Sequence, residues 1–275
     1  MKLRAVLSAA VLAVGIGGGF AMADVTGTVK FEGKAPARKP INMAGVAQCA
    51  QLHKQPVLEE SLVVGKGGEL ANVVVSLKNP PAGGKAPAEP AVFDQKGCQY
   101  VPHVLPVMVG QKILVKNSDP FLHNVHGLPE ENPGFNFGQN NVDPGKAIQP
   151  MKTAEYFRVK CDVHPWMSAW FAVFNHPYFG VTDATGKFTI KGVPDGEHEV
   201  VLWHEKLGES EGKVTVKGGK GELNATMKPE EEASATPTLQ QIVETQTVLL
   251  SAVAKSECGT CCESAKKGAE VAQTK

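Results

Sequence analysis

The sequence predicts an all-β fold. Three observations predict it. Short valine- and phenylalanine-rich runs alternate apolar and polar residues with a period of two. Turn-forming residues interrupt them repeatedly. Glycine and proline are abundant, 29 and 19 in a chain of 275 residues. Such a composition suits strands that return on themselves through tight turns.

The elements follow in order. Residues 25–31 alternate, with Val25, Gly27, Val29 and Phe31 on one face. Pro36, Pro40 and a loop containing Cys49 come next. A strand is predicted over 70–78 (LANVVVSLK), then a loop over 79–90 by its proline and glycine content. Residues 91–95, 103–109 and 112–117 read as further short strands. Residues 118–150 read as loop, because Asp119-Pro120, Asn132-Pro133-Gly134 and Asp143-Pro144-Gly145 are turn signals. Residues 154–160 alternate again and end at Cys161, and 169–174 form an apolar strand. Beyond His176-Pro177 come short strands and tight turns over 181–205, with Phe188 and Ile190 on one face and a turn at Pro194-Asp195-Gly196. Residues 213–216 and 222–227 complete the set.

The two ends differ from this pattern. Lys2 and Arg4, an apolar run over 5–16, and Ala21-Met22-Ala23 have the layout of a secretory signal peptide, with cleavage expected before Asp24. The run is short for a membrane span and is followed by three glycines. The expectation is an exported protein, periplasmic, secreted or at the cell surface, with no transmembrane segment in the mature chain. Residues 228–235 read as a linker. Thr236-Pro237 then opens a predicted helix with an apolar stripe at Leu239, Ile242, Val243, Leu249, Leu250 and Val253. Cys258, Cys261 and Cys262 lie in a tail rich in lysine, alanine and glutamate, predicted disordered. They suit a disulfide, a cross-link to a second chain or a metal-binding tail. Without a histidine after the pair, covalent haem attachment is not supported.

Charge excludes one class of partner. Basic and acidic side chains balance at 28 each, so no basic surplus attracts nucleic acid or anionic lipid. No phosphate-binding glycine loop and no serine–histidine–aspartate set occurs.

The chemistry concentrates in KCDVHPWMSAW, residues 160–170. Cys161, His164 and Met167 offer a thiolate, an imidazole and a thioether on one loop between two strands. A second histidine from elsewhere would complete the donor set of mononuclear type 1 copper. The segment VKNSDPFLHNVHG, residues 115–127, supplies candidates in His123 and His126. Zinc is the rival ion, but it has no need of a thioether.

Here Asn117 stands six residues before His123-Asn124, and Tyr156, Cys161 and His164 follow in the order Y-x4-C-x2-H. This pattern resembles plastocyanin and its cupredoxin relatives over roughly residues 90–175. The resemblance implies a Greek-key β-sandwich. It implies one copper ion, cycling between Cu(I) and Cu(II), held by His123, Cys161 and His164 with Met167 axial, or with His126 reaching the metal instead. It gives Asn124 the role of tying the two ligand loops together, and the exposed edge of His164 that of electron exit. Phe121, Trp166, Trp170 and Phe171 would keep the site dry. Only Pro165 and Trp166 separate His164 from Met167, fewer residues than plastocyanin-like loops place there. That spacing is similar to the binuclear centre of haem–copper oxidases, which needs a second loop cysteine that is missing here.

Residues 177–227, through VTDATGKFTIKGVPDGEHEV, resemble the carboxypeptidase regulatory-like domain, a transthyretin-type β-sandwich. VTGTVKFEGKAP, residues 25–36, resembles the opening strand of such sandwiches, so both ends of the chain could share one. The expected organisation is a signal peptide (1–23), a cupredoxin-like copper domain with an N-terminal extension (24–176), the regulatory-like module (177–228), and a linker, amphipathic helix and cysteine-containing tail (229–275). Cys49 and Cys98, outside the copper set, are candidates for a disulfide. His103 is expected as a packed strand residue and His204 as a surface one.

The function expected is electron transfer with a redox protein partner, and not catalysis. The alternatives are non-redox copper storage or delivery, a surface-binding module and, more weakly, a copper oxidoreductase with an open coordination position. The tail offers a route to self-association.

Overall fold

A computed structural model describes residues 22–80 and 84–229. The core of the signal peptide, the predicted helix over 236–253 and the cysteines at 258, 261 and 262 lie outside the described residues. Among the described residues no helix is long and apolar enough to cross a membrane.

The chain is all-β, as predicted. In order, the strands are β1 (Met22–Phe31), β2 (Val74–Leu77), β3 (Ala91–Gln95), β4 (Tyr100–Val101), β5 (Val104–Met108) and β6 (Ile113–Asn117). Then come β7 (His123–Gly127), β8 (Phe135–Gln139), β9 (Asp143–Ile148), β10 (Tyr156–Lys160) and β11 (Ser168–Phe174). The last six are β12 (Phe179–Val181), β13 (Lys187–Pro194), β14 (Gly196–His204), β15 (Gly208–Lys217), β16 (Lys220–Glu222) and β17 (Ala225–Met227). One short helix among the described residues, α1 (Ala47–Gln51), occupies the loop expected around Cys49.

Two sheets form a sandwich: a five-stranded one in the order β5-β11-β10-β7-β8 and a four-stranded one in the order β4-β3-β6-β9. Alternation explains the packing. In β10, Phe157 and Val159 are buried while Arg158 is exposed. In β6, Ile113 and Val115 face inward. These side chains meet Phe93, Val107, Val125 and Phe171 in one core. Each such side chain contributes about 1.5–3 kcal/mol by leaving water.

The loop expected over 118–150 is corrected: it contains β7, β8 and β9. The turn signals misled because β8 and β9 are the outermost strands of their sheets. An edge strand tolerates a proline such as Pro144, whose missing N–H would break a central ladder. Gly145 has φ +146°, and a Cβ there would lie 2.4 Å from Leu114. What reads as a turn is a kinked edge strand.

The third sheet runs β12-β2-β14-β15-β16-β1-β13, with β17 also paired to β1. Strands from both ends of the described chain therefore share one sheet. β1 runs antiparallel to β13 and parallel to β16 and β17. β2 enters the same sheet between β12 and β14. The ends of the sheet, β12 and β13, meet, so it curls around its own core of Val25, Val29, Val75, Ile190, Val200 and Leu202. A further cluster, Val74, Val104, Ala172 and Phe174 with Trp170 and Trp203 against it, joins the outer face of β11 to β2 and β14.

Candidate metal centre

The neighbours of β10 in its sheet are β11 and β7. Cys161 follows β10 directly, and Met167 precedes β11. The connection is a tight loop: Cys161 N donates to Met167 O (3.1 Å) and Met167 N donates to His164 O (2.9 Å). β7 opens with His123 beside that loop. The turn leading into β7 is fixed by Asn117, which is fully buried. Its Nδ2 donates to the carbonyls of Phe121, Gln139 and Asn141, at 3.0, 3.1 and 3.0 Å, and its Oδ1 accepts from Asp119 N.

These constraints bring three side chains together. Nitrogen atoms of His123 and His164 and the Sγ of Cys161 lie within 4.8 Å of one another, all buried. His123 Nδ1 is 3.0 Å from His164 Nδ1, and Cys161 Sγ is 3.6 Å from His164 Nδ1. Two nitrogens each about 2.0 Å from one ion stand roughly 3.3 Å apart at a tetrahedral angle. The donor set fits one metal ion after an adjustment of a few tenths of an ångström.

Hydrogen bonds prepare each donor. Cys161 is the free cysteine among the described residues. Its sulfur accepts from the amides of Asn124 (3.4 Å) and His164 (3.3 Å). Burial alone would push the thiol up. Hydrogen bonding from His123 and from these amides outweighs it, so the thiol sits below its ordinary range. Burial, helped by the positive charge of His123, lowers the His164 imidazole to about 4, which keeps it a neutral donor. His123 Nε2 faces Asp119 Oδ2 at 2.8 Å, and this turns Nδ1 toward the cluster. Burial would lower His123, but Asp119 and Cys161 prevail and raise it.

Asn124 ties the loops: its Oδ1 accepts from Asp162 N (3.0 Å) while its Nδ2 donates to Asn136 Oδ1 (2.6 Å). Met167 is buried on the same loop. His126 does not join the cluster. It lies three residues from His123 in the strand, hence on the opposite face, and its Nδ1 meets Asp162 Oδ2 at 3.0 Å.

Cys49 and Cys98 form a disulfide, which lies against the cluster. Both sulfurs are within 4.8 Å of a His164 nitrogen. Asp119, which sequence reasoning missed, links the two features. It accepts from the amides of Gly97 and Cys98, each at 2.8 Å, and holds His123 with the same carboxylate. Its only signal in the sequence was its position four residues before His123.

Three expectations are corrected. His164 has no exposed edge. It is 2% exposed, covered by the disulfide and by Trp166, whose ring centroid is 5.3 Å away. Trp170 does not wall the site; it stands on the opposite face of β11 from Phe171 and donates to Glu205 Oε2 (3.1 Å). His204 is 1% exposed and not on the surface, because it alternates with Val200 and Leu202 on the inward face of β14 and its Nδ1 accepts from Lys206 N. Phe121 does lie near His123, with centroids 5.2 Å apart. His103 is buried, as expected.

Fold and site together define a class: an all-β protein whose two-sheet sandwich holds a buried cysteine–two-histidine donor cluster. No protein-family model matches the chain, and no curated protein matches it. Solved structures align with part of it. A copper-containing nitrite reductase from Thermus scotoductus shares 21% identity over 35% of this chain, with a TM-score of 0.27. The chain spans a quarter of that enzyme's length, 25%. The Cu(I) form of an amicyanin mutant shares 19% over 38% of this chain and 99% of its own, with a TM-score of 0.28. A purple cupredoxin from Nitrosopumilus maritimus shares 18% over 30% of this chain and 99% of its own, with a TM-score of 0.25. Superpositions this partial carry no functional weight; the sandwich rests on its own strand pairing.

Proposed function

We propose that the chain is an exported copper protein that carries single electrons at one mononuclear, type 1-like site. His123, Cys161 and His164 would hold the ion as strong donors, with the thioether of Met167 as a weaker fourth. One observation carries the reading: the buried thiol of Cys161 and the buried imidazoles of His123 and His164 converge within 4.8 Å of one another. Copper, when bound, supplies a one-electron couple between Cu(I) and Cu(II). The chain's residues do the rest. Asn124 fixes the cysteine loop to β7, Asp119 orients His123, and burial keeps His164 neutral. A site so constrained rearranges little between states, which suits electron transfer with a redox protein partner better than catalysis. The leader-like residues 1–23 support export.

The test is Cu(II) titration of the purified protein. Strong visible thiolate-to-copper absorption at one equivalent is expected, lost in Cys161→Ser and kept in His126→Ala. Absence of that band with Cu(II) would refute the reading. The burial of His164 favours one rival, copper storage or delivery. That rival predicts a colourless protein holding Cu(I) without a reversible potential.

A further inference from the structure

A cleft of about 600 Å3 opens beside the loop that carries His164. Trp166 belongs to both places: it lines the cleft, and its ring packs on His164. Trp170 lines the cleft as well and donates through its indole N–H to Glu205. The other oxygen of Glu205 pairs with His103 Nε2. His103 has a side chain only 6% exposed, and its Nδ1 is buried without a hydrogen-bond partner among the described residues. Glu60 lines the cleft too, with acceptor capacity to spare. Its Oε2 takes one hydrogen bond, from Gln99 Nε2 at 3.0 Å, and its other oxygen has no partner among the described residues. Burial holds the Glu60 carboxyl above its usual range.

Three features of this cleft define what it fits. Its flat apolar surface comes from indoles, which favour a planar ring. Its half-used carboxylate, Glu60, leaves one oxygen free to accept from an O–H donor. Its charges are mixed, with Arg158 and Lys206 among the carboxylates, so no surplus attracts a strongly charged ligand.

We propose that the cleft binds a small, neutral, hydroxylated aromatic of the phenol or hydroquinone class, stacked on Trp166 and Trp170 with a hydroxyl donating to Glu60. This goes beyond the copper reading and does not depend on it. A ring bound there lies one side chain away from His164.

The experiment uses the metal-free protein and its own fluorescence. The chain has three tryptophans. Two line the cleft, and the third, Trp203, packs edge-on against Trp170 at 5.1 Å. The probe is resorcinol, a phenol that is hard to oxidise. Saturable quenching below about 10 mM is expected, roughly tenfold weaker in Glu60→Gln and absent with 1,3-dimethoxybenzene, which keeps the ring but cannot donate. An unchanged near-ultraviolet circular dichroism spectrum shows that the variant is folded. No saturable quenching by resorcinol overturns the proposal. So does equal binding of the dimethoxy compound, or binding of methyl glucoside in place of resorcinol.

Discussion

Replacing both Cys49 and Cys98 by alanine tests the cover over the metal cluster. The cross-link joins residues separated by 49 positions. In the chain-entropy account, opening a loop of that length costs about 4 kcal/mol, because the unfolded chain regains the freedom the link removed. Both sulfurs are fully buried, so their loss adds about 1 kcal/mol each in missing contacts. The folded state keeps partial compensation: Asp119 still holds the amides of Gly97 and Cys98, and Trp166 Nε1 still donates to the carbonyl of residue 98 (3.1 Å). Urea unfolding of the metal-free double variant should therefore show a loss of about 4–6 kcal/mol. Chemical modification of His164 by diethyl pyrocarbonate, located by mass spectrometry, should speed up as the segment over 42–53 loosens. A loss below about 1 kcal/mol, with His164 still protected, would refute the view that the cross-link holds the cover in place.

Two further outcomes follow from named residues. Burial, with the nearby charges of His103 and Lys206, lowers the buried His204 to about 4 from an ordinary 6.5. The unfolded chain then binds the proton first as pH falls, so stability is full above pH 6.5 and declines below it. The loss is about 2 kcal/mol by about pH 5, and His204→Gln should flatten the slope; urea midpoints across pH check this, and an unchanged slope counts against it. Asn124→Ala leaves the amide of Asp162 without its acceptor and unties the cysteine loop. It should cost about 2 kcal/mol in denaturant and broaden the amide resonances of 161–167, whereas a wild-type midpoint would mean that the loop holds itself.

The strands with clean alternation were legible in the sequence. Phe157 and Val159 in β10, or Phe188 and Ile190 in β13, announce a buried face by their spacing. The edge strands β8 and β9 were not, because edge positions permit the glycine and proline that elsewhere mark turns. The grouping of His123, Cys161 and His164 could be suspected from order and residue type. The burial of His164 could not. It depends on a disulfide formed by residues far away in sequence, and no local pattern near His164 signals a cover. His204 was misread for a similar reason: a histidine between a tryptophan and a glutamate looks solvated until the sheet beneath it curls.

The pairing of β1 has a consequence for how the chain is made. Thr28 donates its amide to the side chain of Asn224, 196 residues later, and the neighbouring strands β16 and β17 are equally late. During N-to-C synthesis β1 therefore waits for β13, and its second edge stays open until β16 and β17 have emerged. Its contacts are among the most non-local in the molecule, and closing them is a slow event in folding. A ribosome that stops short of residue 220 does not release a protein missing only a tail. It releases one whose first strand is paired with β13 alone, its other edge left open.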